Sequence, residues 1–282
     1  MKNNFEQSRQ NNISADYVRH SQAGYKSYAE SLKNNPTAPF DKNEQVIPDI
    51  TEGGMELAKN AANEYFKDLD PNKTDLFFVS SNEARAVETA NIYRETAKEN
   101  GFNVIVPENS RSKISDENAD GEIRILETLS LNHPNILANM AFSPKKYRVG
   151  INFDNVSDEE KKRFEQATAI IDAEDQGSYA KNFEKYSEQV QSIFPDIKSA
   201  HDLYTREFEN MKRLLRFANK KTQASNLNKD VKILAFGHEN MLIEAIREKF
   251  QEDGINNCEV LRMKLADDGS TEGEFRGKKG TL

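Results

Sequence analysis

The sequence predicts an α/β fold: a three-layer sandwich with a mostly parallel central sheet and a helical cap insertion. Three observations carry this. Compact apolar runs at 75–80 and 231–236 read as buried strands and 15–20 as a short strand candidate, helical spacing of apolar residues lies between and after them, and the strand–helix alternation breaks near residue 109 and returns near 231. Short strands linked through helices pair in parallel and are apolar on both faces. A chain of 282 residues accommodates one such domain with a large insertion.

Each element has its own signal. Residues 1–13 are rich in Asn and Gln without periodicity and read as a disordered tail. A strand over 15–20 ends in the turn-prone run SQAGYKSY, and 34–48, with three prolines, reads as a loop. Met55, Ala58, Ala62, Tyr65, Phe66 and Leu69 share one face of a helix over 51–69, which Pro71 is expected to close. The run DLFFVS at 75–80 is a strand, and Ala86, Ala90, Tyr93 and Ala97 mark a helix over 81–100 with Gly101 as its C-cap. A third strand is expected over 103–107, followed by a polar loop to about 121.

From 157 to about 220 the pattern is almost wholly helical. It opens on Ser157 with Asp158, Glu159 and Glu160, a capping box with acidic residues in the first turn. Tyr179, Phe183, Tyr186, Val190 and Ile193 form a narrow stripe that reads as helix packing. VKILAF is the returning strand, a helix is expected over 239–250, and a last strand over 258–265. The division that follows is a core of 14–131 plus 197–265, a helical cap at 132–196, and a flexible Gly-rich tail at 266–282.

Composition narrows the function. The net charge of −8 argues against a nucleic-acid surface, and a polyanionic substrate requires a local basic pocket. Mean hydropathy is −0.83, and no run approaches the roughly 18 apolar residues of a membrane span. The start, MKNNFEQSRQNN, lacks the apolar core of a secretory signal, and the single cysteine, Cys258, forms no internal disulfide. The expectation is a cytoplasmic protein with no membrane or nucleic-acid partner. Cys258 reads as a small core residue, and His133 and His201 as structural or surface residues.

Chemistry gathers where predicted strands end. In open α/β sheets ligands bind at the carboxyl edge. The first edge presents Arg19, His20, Ser21 and Gln22; the second Ser80 and Ser81, with Arg85 in the first turn of the next helix; the last Gly237, His238 and Glu239. Two guanidinium groups and a helix N-terminus hold phosphate oxygens while an imidazole attacks phosphorus. Ser80 and Ser81 are equally suited to capping the helix and to touching ligand.

Four segments in order, DYVRHSQ, ITEGGMELA, FFVSSNEARAVETANIY and ILAFGHENMLIEAI, resemble the motifs of the histidine phosphatase superfamily, the phosphoglycerate mutase-like family. The resemblance covers roughly 14–131 and 200–265 and leaves the helical middle unexplained. It implies that His20 is a nucleophile that becomes phosphorylated and that Arg19, Arg85 and His238 bind the phosphoryl oxygens, with Gln22 beside them. It implies no metal and no cofactor. Expelling an alkoxide at neutral pH requires an acid. Glu127 sits where the mutase-like branch places a Glu, and Glu239 where the acid-phosphatase branch places its acid; both stay open, with Glu127 favoured by the form of the Arg85 segment.

Two departures bear on function. Ser21 replaces the family's Gly and adds a side chain beside the phosphate position. No Arg lies between Arg19 and Arg85, and Lys26, Lys33 and Lys42 are the replacements on offer, which favours a phosphatase over a mutase. The reading is a metal-independent phosphomonoesterase acting through phosphohistidine on a small phosphorylated metabolite. The alternative is a catalytically silent relative that binds a phosphorylated ligand or a protein partner; a phosphomutase ranks third.

Overall fold

The structure, a computed structural model, describes residues 13–23, 50–81, 84–105, 128–129, 136–139, 157–172, 179–193, 195, 199–202, 204–206, 208–209, 212–213, 216, 229–265 and 270–282. Their strands are β1 (Ile13–Arg19), β2 (Thr74–Ser80), β3 (Asn103–Val104), β4 (Thr128–Leu129), β5 (Ile136–Asn139), β6 (Asp230–Gly237), β7 (Val260–Leu265), β8 (Thr271–Phe275) and β9 (Lys278–Thr281). One sheet holds them all in the order β4-β5-β2-β6-β1-β7-β8-β9, with β3 beside β2. The α/β class is as expected. The centre, β5-β2-β6-β1, is parallel, and antiparallel strands extend it at both edges.

Side-chain alternation along the central strands builds two cores. On one face Val18, Leu76, Phe78, Leu234 and Phe236 pack under helices α1 (Glu52–Phe66) and α2 (Ala84–Glu99) through Ala62, Phe66, Ala90, Tyr93 and Ala97. On the other, Ala15, Tyr17, Ile233 and Ala235 meet Met241, Leu242, Ile246 and Phe250 from the segment after β6. This is the layered sandwich the alternation predicted. Asp16, buried in β1, is neutralised by Lys232 Nζ of β6 at 3.1 Å and accepts from the Tyr65 hydroxyl at 2.6 Å. Burial and the neighbouring carboxylate push the Tyr65 phenol well above its usual range, so it stays a donor.

Thr51 caps α1 by accepting from Gly54 N–H at 3.0 Å, but α1 stops at Phe66, ahead of Pro71. Asp70 ends the excursion by accepting from Asn72 N–H at 2.9 Å, a local side-chain turn that competes with helix. Gly101 follows α2 at φ 78°, the left-handed conformation a C-cap glycine supplies. Helices α3 (Asp158–Asp172) and α4 (Tyr179–Ile193) occupy part of the predicted helical region. The Ser157 capping box forms in both directions: Glu160 N–H donates to Ser157 Oγ at 3.2 Å, and Ser157 N–H to Glu160 Oε2 at 2.8 Å. Phe183 is buried and meets Tyr204 edge-on at 6.1 Å, as the packing reading of the stripe requires.

Several expectations are corrected. Within the stretch read as a flexible tail, residues 270–282 are ordered strand and turn: β7, β8 and β9 form an antiparallel meander, and Arg276 (φ 48°) with Gly277 (φ 75°) makes a two-residue turn with both φ positive. That is the hairpin turn whose twist matches its strands. Thr271, Gly273 and Phe275 alternate inward, a period-2 signal hidden by the Gly and charge content. β5 lies within the range assigned to the cap, yet pairs with β2 and belongs to the central sheet. Ile13, assigned to the tail, starts β1, and Cys258, expected in the last strand, is buried in the turn before β7 at φ 61°.

The helix expected over 239–250 is broken into a 3₁₀ turn (Glu239–Met241), one α turn (Ile243–Ala245) and a π turn (Ile246–Phe250), ended by Gln251 at φ 55°. Such changes of helical pitch cluster at functional sites. Of the strand expected over 103–107, β3 takes Asn103 and Val104, and residues 106–107 lie outside the described residues. The loops expected at 34–48 and 109–121, Glu127, His133 and most of the first 13 residues lie outside the described residues. Among the described residues no helix is long and apolar enough to cross a membrane.

Candidate active site

Register brings the two histidines together. In the parallel β1–β6 pair Arg19 stands opposite Gly237, so the next residues, His20 and His238, leave the sheet side by side. His20 N–H donates to Gly237 O at 2.9 Å. The rings lie 5.0 Å apart, centroid to centroid, with planes inclined at 59°. Each histidine is only 4% exposed.

The hydrogen bonds give His20 a tautomer. Its Nδ1 is 2.7 Å from Ser21 O, and since a carbonyl only accepts, Nδ1 carries the proton and Nε2 the lone pair. Burial, then the Arg85 charge, with Arg19 adding to both, outweighs the Ser21 carbonyl and lowers the His20 pKa to about 3. His238 is driven in the same direction by burial, Arg85, His20 and Arg19. Both imidazoles are therefore neutral at physiological pH, as a nitrogen nucleophile requires. His238 Nε2 lies 2.8 Å from Ser81 Oγ, and its main-chain N–H donates to the Tyr17 hydroxyl at 2.7 Å.

The remaining candidates divide. The Arg85 charge holds both rings below the ordinary imidazole range. Arg19 also bears on both, but its guanidinium is engaged from the other side: Nη1 donates to Ile255 O, and Nη2 pairs with Glu239 Oε2 at 3.4 Å. Glu239 is thus a buried carboxylate facing an arginine, with its Oε1 only 2.6 Å from where a side chain on Gly254 would begin. Gln22 is exposed and its carbonyl accepts from Thr51 N–H at 3.2 Å, so its described bonds anchor α1. The structure does not describe Glu127.

Ser21 is tied into the protein at both its side chain and its main chain. Its hydroxyl donates to Gly54 O at 2.6 Å, while its N–H donates to Thr89 Oγ1 at 2.9 Å. The residue after the nucleophile candidate therefore ties the starts of α1 and α2 to the end of β1. Gly54 makes this approach possible, because a Cβ there would overlap Gln22 O.

Sequence reasoning passed over Tyr17, Thr89 and the Ser81 contact to His238. The signal for Tyr17 was present in AFGH: Ala235 and Gly237 alternate on one face of β6 and leave room for a large neighbour. Among the described residues no three His, Cys, Asp or Glu side chains gather as a metal ion would need. His201 is exposed and its Nδ1 lies 3.1 Å from Glu244 Oε2, a surface ion-pair position.

No protein-family model matches the chain, and no curated protein matches it. Solved structures do. A phosphoglycerate mutase from Bacillus anthracis str. Sterne is 13% identical with a TM-score of 0.47, over 95% of this chain and 94% of that one. A phosphoserine phosphatase from Entamoeba histolytica, in complex with phosphoserine, is 12% identical with a TM-score of 0.38, over 96% and 95%. A multiple inositol polyphosphate phosphatase from Bifidobacterium longum, in complex with inositol hexasulfate, is 10% identical with a TM-score of 0.41, over 95% and 87%. In each case the similarity runs along nearly the full length of this chain.

Proposed function

We propose that this chain is a phosphomonoesterase that works through a phosphohistidine at His20. The observation that carries the reading is the pair of buried, neutral imidazoles, 5.0 Å apart at the carboxyl end of parallel strands, under the charge of Arg85 and Arg19. His20 Nε2 attacks phosphorus in line, the P–O bond to the leaving group breaks, and the electron pair departs with that oxygen. Arg85, Arg19 and His238 stabilise the equatorial oxygens. Arg19 Nε is buried without a hydrogen-bond partner among the described residues, so Arg19 retains a donor for an oxyanion. Water then attacks the phosphohistidine and releases inorganic phosphate. The substrate is a small phosphorylated metabolite.

The expected result is release of phosphate from p-nitrophenyl phosphate, with a phosphoenzyme that survives an alkaline quench and is lost in acid, the stability pattern of phosphohistidine. A chain that binds phosphate without releasing it from the ester is the second reading, a silent relative. It is favoured by one observation, the engagement of Arg19 by Ile255 O and Glu239.

The acid is assigned by leaving-group dependence. An activated phenolate departs without protonation, whereas an alkoxide does not. Glu127→Gln is expected to depress hydrolysis of an alkyl phosphate strongly while sparing p-nitrophenyl phosphate. Glu239→Gln, which breaks the pair with Arg19, is expected to give a smaller loss on both substrates alike. The reverse pattern in steady-state rates would transfer the acid role to Glu239.

A further inference from the structure

We propose that Tyr17 is the positioning residue of this site: its buried hydroxyl clasps the main chain of His238 and fixes where that imidazole stands beside His20. This rests on the phosphatase reading for its catalytic consequence, and on geometry alone for the clasp.

Tyr17 stands opposite Ala235 in the β1–β6 register, three residues before His238. Its side chain is fully buried, and its hydroxyl reaches past Gly237 to His238. The hydroxyl accepts from His238 N–H at 2.7 Å and lies 3.3 Å from His238 O, to which it donates. One phenol thus serves a donor and an acceptor of the same residue, at the point where β6 ends and the ladder no longer supplies partners. The backbone between them has no side chain for a reason: a Cβ on Gly237 would overlap the Tyr17 hydroxyl. Ala235 beneath the ring and Gly237 beneath the hydroxyl form a trough, and the phenol fills it.

The clasp complements the ring contact. Ser81 Oγ meets His238 Nε2 at 2.8 Å, so the side chain is held from β2 and the main chain from β1. His238 therefore has both its peptide and its ring position determined by neighbouring strands, whereas the segment after it departs from regular α-helix at once. A fixed His238 matters because a transition-state donor acts only within a few tenths of an ångström of its place.

The test is Tyr17→Phe in the full chain, with folding checked by denaturant midpoint. The expected result is a fall in kcat on p-nitrophenyl phosphate of about tenfold, the size of one hydrogen bond lost from a site, with KM little changed. The ring nitrogen resonances of His238 shift and those of His20 stay. A variant whose His238 resonances or kcat match wild type overturns the proposal, as does a kcat loss with unmoved His238 resonances. Difluorotyrosine at position 17 is the second probe: it keeps the hydroxyl but weakens the oxygen as an acceptor and strengthens it as a donor, so the His238 main-chain N–H resonance is expected to move upfield, as for a weaker hydrogen bond, and an unmoved one overturns the proposal. Should the wild-type chain hydrolyse no phosphomonoester, the phosphatase reading fails, and the His238 resonances in these two variants still decide the clasp.

Discussion

Replacing His20 with alanine is expected to lower phosphate release by at least about 10³-fold and to eliminate the alkali-stable phosphoenzyme, because His20 Nε2, left with its lone pair by the Nδ1 bond to Ser21 O, is the nucleophile in this reading. The fold is expected to survive. The bond from residue 20 N–H to Gly237 O belongs to the main chain, and the Ser21 bonds to Gly54 and Thr89 do not involve the imidazole. A second readout comes from proton linkage. The His20 pKa of about 3 lies below the unfolded value, so between that value and about 6.5 the unfolded chain binds the extra proton. His20 thus contributes stability that is present above pH 6.5 and lost as pH falls toward 3, by about 1.4 kcal/mol per pH unit where the difference is one full proton. Removing it flattens the acid side of the stability curve. Denaturant midpoints at pH 7.5 and pH 5 are expected to differ less in His20→Ala than in wild type; an unchanged difference, together with retained turnover, would remove His20 from the site.

How much of this was legible in the residues depended on whether the signal was local. The central strands announced themselves through continuous apolar runs, DLFFVS and VKILAF, because strands covered on both faces need no polar side. The inner face of α2 was equally plain: Ala86, Ala90, Tyr93 and Ala97 are all buried. The β8–β9 hairpin was missed because Thr271, Gly273 and Phe275 alternate among Glu, Lys and Gly, and composition outweighed a period of two. The broken helix after β6 was missed because Met241, Leu242, Ala245, Ile246 and Phe250 do face one core, and a shared core face does not distinguish an α turn from a 3₁₀ or π turn.

The candidate site divides along the same line. Arg19-His20 and Gly237-His238 are short local signals at strand ends, and a parallel register without stagger brings them together. Contacts that cross from one element to another leave no such mark. The turn of the Ser21 hydroxyl toward Gly54, the pairing of Arg19 with Glu239 and the reach of Tyr17 to His238 all depend on side-chain direction across sequence separations of 33, 220 and 221 residues. A hydroxyl next to a helix start finds a carbonyl, and the Ser21 hydroxyl donates to that of Gly54.

Arg85→Ala is expected to cost on the order of 10²-fold in kcat/KM, the usual loss when a preorganised donor to transition-state charge is removed. It also tests the electrostatics of the pair of rings. After burial, the Arg85 charge is the largest cause holding both His20 and His238 below the ordinary imidazole range, ahead of Arg19 in each case. Its removal therefore raises both pKa values. A nucleophile must be neutral to attack, so a higher His20 pKa means protonation, and loss of rate, beginning at a higher pH; the acid limb of the pH–rate profile is expected to move upward in Arg85→Ala. Arg85→Lys separates charge from shape. A lysine restores a cation and with it most of the pKa depression, but a point charge cannot span two phosphoryl oxygens as a planar fork does. The acid limb is then expected to return toward wild type while the rate recovers only in part. Wild-type rate in Arg85→Lys would show that bidentate contact is absent, and an unmoved acid limb in Arg85→Ala would place the guanidinium away from the histidines.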